Sequence, residues 1–146
     1  MKIAIGSDHA GYKLKNEIIE FLQEKNIEVI DEGTYGLESV DYPDFAVKVC
    51  NDYVTGKVDY GILVCYTGIG MSMAANKTKG VRAALVGIKE DAVLTREHNN
   101  ANVLCLSAKN TSTNLALEIV ETFLNTEFTA GRHERRVQKV MDIENE

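Results

Sequence analysis

The chain has 146 residues, of which 45% are hydrophobic and 26% charged, the balance of an ordinary soluble domain. That length suits one domain spanning residues 1–146 and is short for two. A net charge of −6 argues against broad contact with nucleic acid or anionic membrane, since both reward a basic surface.

Apolar runs and helical patterns alternate along the chain. KIAIG (2–6) reads as a strand, and residues 10–26 follow as a helix with Leu14, Ile18, Ile19, Phe21 and Leu22 at helical spacing. EVI (28–30) is a second strand. A loop then leads to a helix from about Asp44, where Phe45, Val47, Val49 and Val54 recur among polar residues. YGILVC (60–65) reads as a fully buried strand, followed by a helix starting near Gly68 or Ile69. VRAALVG (81–87) and NVLCLS (102–107) are further strands, with the helical KEDAVLTREHNN between them. A Ser/Thr-capped helix from about Thr111 carries Leu115, Leu117, Ile119, Val120, Phe123 and Leu124, and a charged helix closes the chain.

Strand–helix alternation with continuously apolar strands predicts a doubly wound α/β domain with a parallel sheet covered on both faces. The only proline is Pro43, and no Gly/Ser-rich or Pro-rich run marks a linker. The apolar run at the N-terminus is too short for a signal peptide, and nothing approaches a membrane span. Three cysteines, Cys50, Cys65 and Cys105, form no CxxC pair; free thiols and a cytoplasmic setting are expected.

Folds of this kind bind ligands beyond the carboxyl ends of their strands. Ser7, Asp8, His9, Cys65, Thr67 and Gly68 all fall there. TGIGMSM has glycines at 68 and 70, but Met73 stands where GxGxxG needs a third, and no GxxxxGK[ST] occurs. What remains is a turn whose amides a ligand could approach, or a tight turn with no ligand. Cys65 heads no Cys-x5-Arg phosphatase loop, because Met71 stands at the arginine position. Its place between a strand end and a helix start favours thiolate, whereas Cys50 and Cys105 read as small core residues.

The histidines sit in SDHAG, REHNNAN and GRHERR, without the spacing of a metal site. Singly, each has an ordinary structural explanation; together, three polar clusters at loops and strand ends point to a shared site. Arg132 and Arg136 lie four residues apart on one face of the last helix, with Lys139 extending it. Such a face is either solvated and paired with nearby carboxylates or a clamp for one phosphate group.

SDHAG, DYPD, CYTGIGMSMAAN, GVRAAL, REHNNAN and GRHERRVQKV occur in this order over residues 1–142. In that combination the chain resembles the type B ribose-5-phosphate isomerases, a family that includes galactose-6-phosphate isomerase subunits and allose-6-phosphate isomerases. The resemblance implies a Rossmann-like three-layer α/β/α fold with a five-stranded parallel sheet and no nucleotide. It implies a phosphorylated sugar as substrate, and neither metal nor organic cofactor. Cys65 would be the base moving a proton between C2 and C1 through a cis-enediolate. Thr67 and the amides of Gly68, Ile69 and Gly70 would hold the oxyanion. His98, assisted by Asp8, would open the furanose ring. Tyr42 and Asn99 would hold hydroxyls, and His9, Lys109, Arg132 and Arg136 the phosphate. A homodimer or homotetramer with a site shared between chains is implied as well. The chain departs from the family's usual pattern at Tyr66, where relatives carry glycine, and at Lys109, where many carry arginine. A hexose-6-phosphate isomerase and a non-catalytic sugar-phosphate-binding module are the alternative readings.

Overall fold

The computed structural model describes residues 1–146. Five strands, β1 (Lys2–Ser7), β2 (Glu28–Asp31), β3 (Tyr60–Cys65), β4 (Ala83–Leu85) and β5 (Val103–Ser107), form one sheet in the order β2-β1-β3-β5-β4. All pairings are parallel. Six helices connect or follow them: α1 (Tyr12–Glu24), α2 (Tyr42–Val54), α3 (Ile69–Ala75), α4 (Lys89–Asn99), α5 (Thr113–Asn125) and α6 (Arg132–Asp142). This is the doubly wound α/β architecture expected from the strand–helix alternation. No helix is long and apolar enough to cross a membrane.

Successive strand residues face opposite sides of a sheet, so each central strand feeds two cores. Ile3, Ile5, Ile62, Val64, Leu104 and Leu106 pack with Leu14, Ile18 and Leu22 of α1 and Ile119 and Phe123 of α5. Ala4, Leu63, Cys65, Val103 and Cys105 pack with Ala46, Val49 and Cys50 of α2 and Met71 and Ala75 of α3. Each fully buried Leu or Ile stabilises the fold by roughly 2 kcal/mol, so neither face tolerates a polar substitution cheaply.

Several boundaries differ from the sequence expectation. α2 begins at Tyr42, not Asp44, because Pro43 sits at the start of the helix, where its missing N–H costs nothing. In that helix Val47 and Val54 are exposed, and Ala46, Val49 and Cys50 supply the buried stripe. α1 stops at Glu24 before Asn26, whose φ of 60° cannot continue a helix. α5 starts at Thr113, with the Ser112 hydroxyl accepting from the Leu115 amide as its cap. β4 is reduced to three residues of the predicted seven. It is an edge strand that pairs only with β5, and Val81 and Val86 are buried from outside the ladder.

Candidate active site

The sheet order places β1 and β3 side by side while their connections depart to opposite sides, so a crevice opens beyond their carboxyl ends. Asp8 and His9 enter it from β1, and Cys65 to Gly70 enter it from β3. Tyr42 joins them at the start of α2, and Lys109 follows β5, which is β3's other neighbour.

Cys65 is buried, and its Sγ accepts the Gly68 amide at 3.2 Å. The loop can fold back onto the sulfur because Gly68 adopts φ 78°. A Cβ at Gly68 would lie 2.4 Å from Leu85 Cδ1 and 3.0 Å from the Leu106 backbone, so both the conformation and the space require glycine. The Thr67 hydroxyl accepts the Ile69 amide at 3.2 Å, leaving its own proton to donate outward. The Tyr42 ring lies against Gly70, where a Cβ would come within 2.6 Å of the ring carbons. The loop and the tyrosine therefore form one surface.

The other two thiols contrast with Cys65. Burial pushes Cys50 up to about 11, and it pushes Cys105 well above the ordinary thiol value. Both sit in the core as neutral small side chains; Cys65 borders the same core but ends its strand and receives an N–H donor.

Asp8 is buried, and its Oδ1 accepts the Gly11 amide at 3.0 Å. That bond closes the turn into α1, where Gly11 itself lies against the Val64 carbonyl with no room for a Cβ. His9 Nδ1 accepts the Val40 amide at 3.2 Å, which puts the ring proton on Nε2 and makes that nitrogen a donor. Lys109 is exposed beside the same loop, its amide donating to the Tyr66 carbonyl at 2.8 Å.

His98, Asn99, Arg132 and Arg136 are elsewhere. α4 returns antiparallel to the strands, so its last residues lie near the amino end of β5. There the His98 ring stacks on His133 of α6, with centroids 4.1 Å apart and planes inclined by 15°. Desolvation, then the charges of His98, Arg132 and Arg136, push the His133 imidazole below its ordinary value, against a smaller upward pull from Glu97. His98, Asn99, His133 and Arg136 line a cavity of about 500 Å³ together with Arg82 and Asn76.

Two supporting residues were not legible as such from sequence. Arg96 is buried, and its guanidinium donates to the Thr126 and Ala101 carbonyls and to Asn100 Oδ1, pinning the turn after Asn99. Asn100 holds a φ of 48° there. Lys15 is fully buried and pairs with Asp31 Oδ1 at 2.7 Å; that oxygen also accepts the Gly33 amide, which fixes the loop after β2. No three His, Cys, Asp or Glu side chains converge in a way that would hold a metal ion.

A parallel α/β domain with a buried thiol on a glycine loop, and a separate cluster of histidine and arginine side chains, has the parts of a phosphorylated-sugar isomerase. The family model for ribose/galactose isomerases matches residues 3–140, and the chain belongs to that family. Ribose-5-phosphate isomerase B of Escherichia coli is 44% identical over 98% of this chain and 96% of its own. The solved structure of ribose-5-phosphate isomerase B from Clostridium thermocellum superposes with a TM-score of 0.98 at 52% identity, covering 99% of this chain and 98% of that one. The Mycoplasma genitalium enzyme, solved with bound ribulose 5-phosphate, gives a TM-score of 0.94 at 46% identity, covering 99% and 97%.

Proposed function

We propose that this isomerase interconverts ribose 5-phosphate and ribulose 5-phosphate through a cis-enediolate, with Cys65 as the base. The observation that carries the reading is the 3.2 Å bond from the Gly68 amide to Cys65 Sγ at the carboxyl end of β3. The fixed N–H orients that sulfur at the strand end, and the crevice leaves the substrate room beyond the loop. The relative solved with ribulose 5-phosphate supports this substrate class.

The steps follow from the chemistry each side chain offers. His98, with Asp8 of a neighbouring chain, exchanges the proton that opens the furanose to the free aldehyde. Cys65 then removes the C2 proton, negative charge passes to the carbonyl oxygen O1, the O2 hydroxyl proton passes to O1, and the same sulfur returns its proton to C1 as the C2 carbonyl forms. Thr67 and the amides of the Gly68, Ile69 and Gly70 turn hold the oxyanion, a contribution of about 3 to 4 kcal/mol for one well-placed donor. Tyr42 and Asn99 hold hydroxyls. His9 Nε2–H, Lys109, Arg132 and Arg136 hold the phosphate, so that binding energy fixes the reacting carbons against the sulfur. The proton transfers require no metal or organic cofactor.

The site is shared between two chains, the carboxyl end of one sheet facing the α4–α6 end of the other. α6 buries none of its residues within one chain, and Val140 and Ile143 at its end are exposed, as are Ile69, Met73, Leu85 and Ile88. A two-fold partner would cover such apolar surface and complete two sites at once. A single-domain homodimer, or a tetramer built from it, acting in the cytoplasm is the form proposed.

The test is NMR of the purified protein with ribose 5-phosphate in heavy water containing a chelator. Appearance of ribulose 5-phosphate, with deuterium entering at the exchanging carbon, is expected. Unchanged sugar without deuterium would remove the pentose reading and send the search to six-carbon phosphates.

A further inference from the structure

Tyr66 directly follows Cys65, yet the residue is 56% exposed. Its backbone is firmly held: the carbonyl accepts the Ser107 hydroxyl at 2.9 Å and the Lys109 amide at 2.8 Å. The neighbouring Cys65 carbonyl accepts the Ala108 amide at 2.9 Å, so β3 and β5 leave the sheet laced together. The lacing brings the two side chains side by side, with Lys109 Nζ 5.6 Å from the Tyr66 ring centroid. None of the chain's five ion pairs uses Lys109, so the ring is its visible partner. Unlike Lys15, whose ammonium is fixed by Asp31, Lys109 keeps its charge unneutralised beside the loop.

From this pairing we infer that Tyr66 is a positioning residue, its ring face holding the Lys109 ammonium at the mouth of the cysteine loop to meet the substrate's phosphate. A lysine on a flexible stem loses rotamer freedom when it binds an anion. A ring that gathers the ammonium beforehand lowers that loss while leaving its positive charge free for the anion. Exposed cation–π contacts are worth enough to change affinity about two- to fivefold. The contact needs the ring face and not the hydroxyl, so phenylalanine should serve and leucine should not. The inference rests on the proposed role of Lys109 at the phosphate.

The experiment compares wild type, Tyr66→Phe, Tyr66→Leu, Lys109→Ala and the Tyr66→Leu/Lys109→Ala double variant. Each is assayed for turnover of ribose 5-phosphate, for the Kd of inorganic phosphate, and for the NMR shift of the Lys109 ε-methylene protons. Tyr66→Leu is expected to raise KM and the phosphate Kd about two- to fivefold, with the effect on KM exceeding that on kcat. Tyr66→Phe restores both values. The upfield ring-current shift at Lys109 disappears in Tyr66→Leu and persists in Tyr66→Phe. In the Lys109→Ala background the leucine substitution adds nothing. An undiminished effect in that background, or a Lys109 signal without a ring-current shift, overturns the inference. If wild type does not turn over ribose 5-phosphate, the pentose reading is what fails. The lysine shift and the phosphate Kd then decide the pairing on their own.

Discussion

Cys65 and His98 lie at opposite ends of the same sheet. Cys65 pairs with Ser107 at the carboxyl end of β5, while His98 closes the helix that leads into the amino end of that strand at Val103. Four residue steps along the strand, roughly 13 Å, separate those two ends. On the proposed mechanism a base and a ring-opening group must reach the same five-carbon sugar, and this separation calls for two chains to supply them. On that proposal the two clusters are halves of a site, and the exposed apolar residues around α3, β4 and α6 are where a second chain would join them.

Replacing the thiol isolates the base. Cys65→Ser keeps the small buried volume and a group able to accept the Gly68 amide, so melting temperature and phosphate affinity should stay near wild type. Turnover should fall by about 10² to 10⁴, the usual contribution of a positioned base. The check is kcat alongside a thermal melt. Near-normal turnover in a folded variant would remove Cys65 from the role.

The loop's two glycines should fail differently. At Gly68, alanine must adopt φ 78° and meet the Leu106 backbone at 3.0 Å, and a backbone cannot yield. Gly68→Ala should therefore cost about 2 to 3 kcal/mol of stability in urea unfolding. At Gly70 the backbone is helical, and the collision is with the Tyr42 ring, which can swing away. Gly70→Ala should lose less stability and show its effect in KM. Equal losses of stability at both positions would contradict this division.

The sequence made the alternation of elements, the parallel sheet and the strand-end residues readable because each is a local pattern. Lys15 and Arg96 were not readable, for a common reason. Each sits in a helix among charged neighbours and looks solvated; only the tertiary fold brings Asp31 to one and the Thr126 and Ala101 carbonyls to the other. The short β4 was overread because Val81 and Val86 are buried beyond its three-residue ladder, and hydrophobicity alone does not mark where a ladder ends. The stacking of His98 on His133 joins residues 35 positions apart, beyond any spacing rule.

A carboxyl pair away from the site should give stability a pH dependence. Glu32 is raised from 4.5 to about 7, first by sharing a hydrogen bond with Asp52, then by desolvation and by the Asp52 charge. Asp52 is buried, with one carboxyl oxygen lacking a donor among the chain's other groups. The folded state therefore holds a proton that the unfolded chain releases near pH 4.5. This contribution is fully present below that pH and is lost as pH rises through about 7. Glu32→Gln keeps the hydrogen bond without titrating. Its melting temperature relative to wild type should rise on going from pH 4.5 to pH 8, by on the order of 2 °C. A difference that stays constant across that range would show that the two carboxyls do not share a proton.

Mixing two inactive variants tests the division of the site between chains. Cys65→Ser lacks the base and His98→Ala lacks the ring-opening group, so each homodimer has two defective sites. In a two-fold heterodimer the defects fall differently. One site receives both substitutions, and the other receives the intact Cys65 of one chain and the intact His98 of its partner. Random exchange makes half of the dimers mixed, so activity should recover to about a quarter of wild type. The assay is turnover of ribose 5-phosphate after the variants are unfolded together and refolded, against each variant refolded alone. If each chain held a complete site, the mixture would stay as inactive as its components. Recovery to about a quarter requires that the thiol and the imidazole act from different chains.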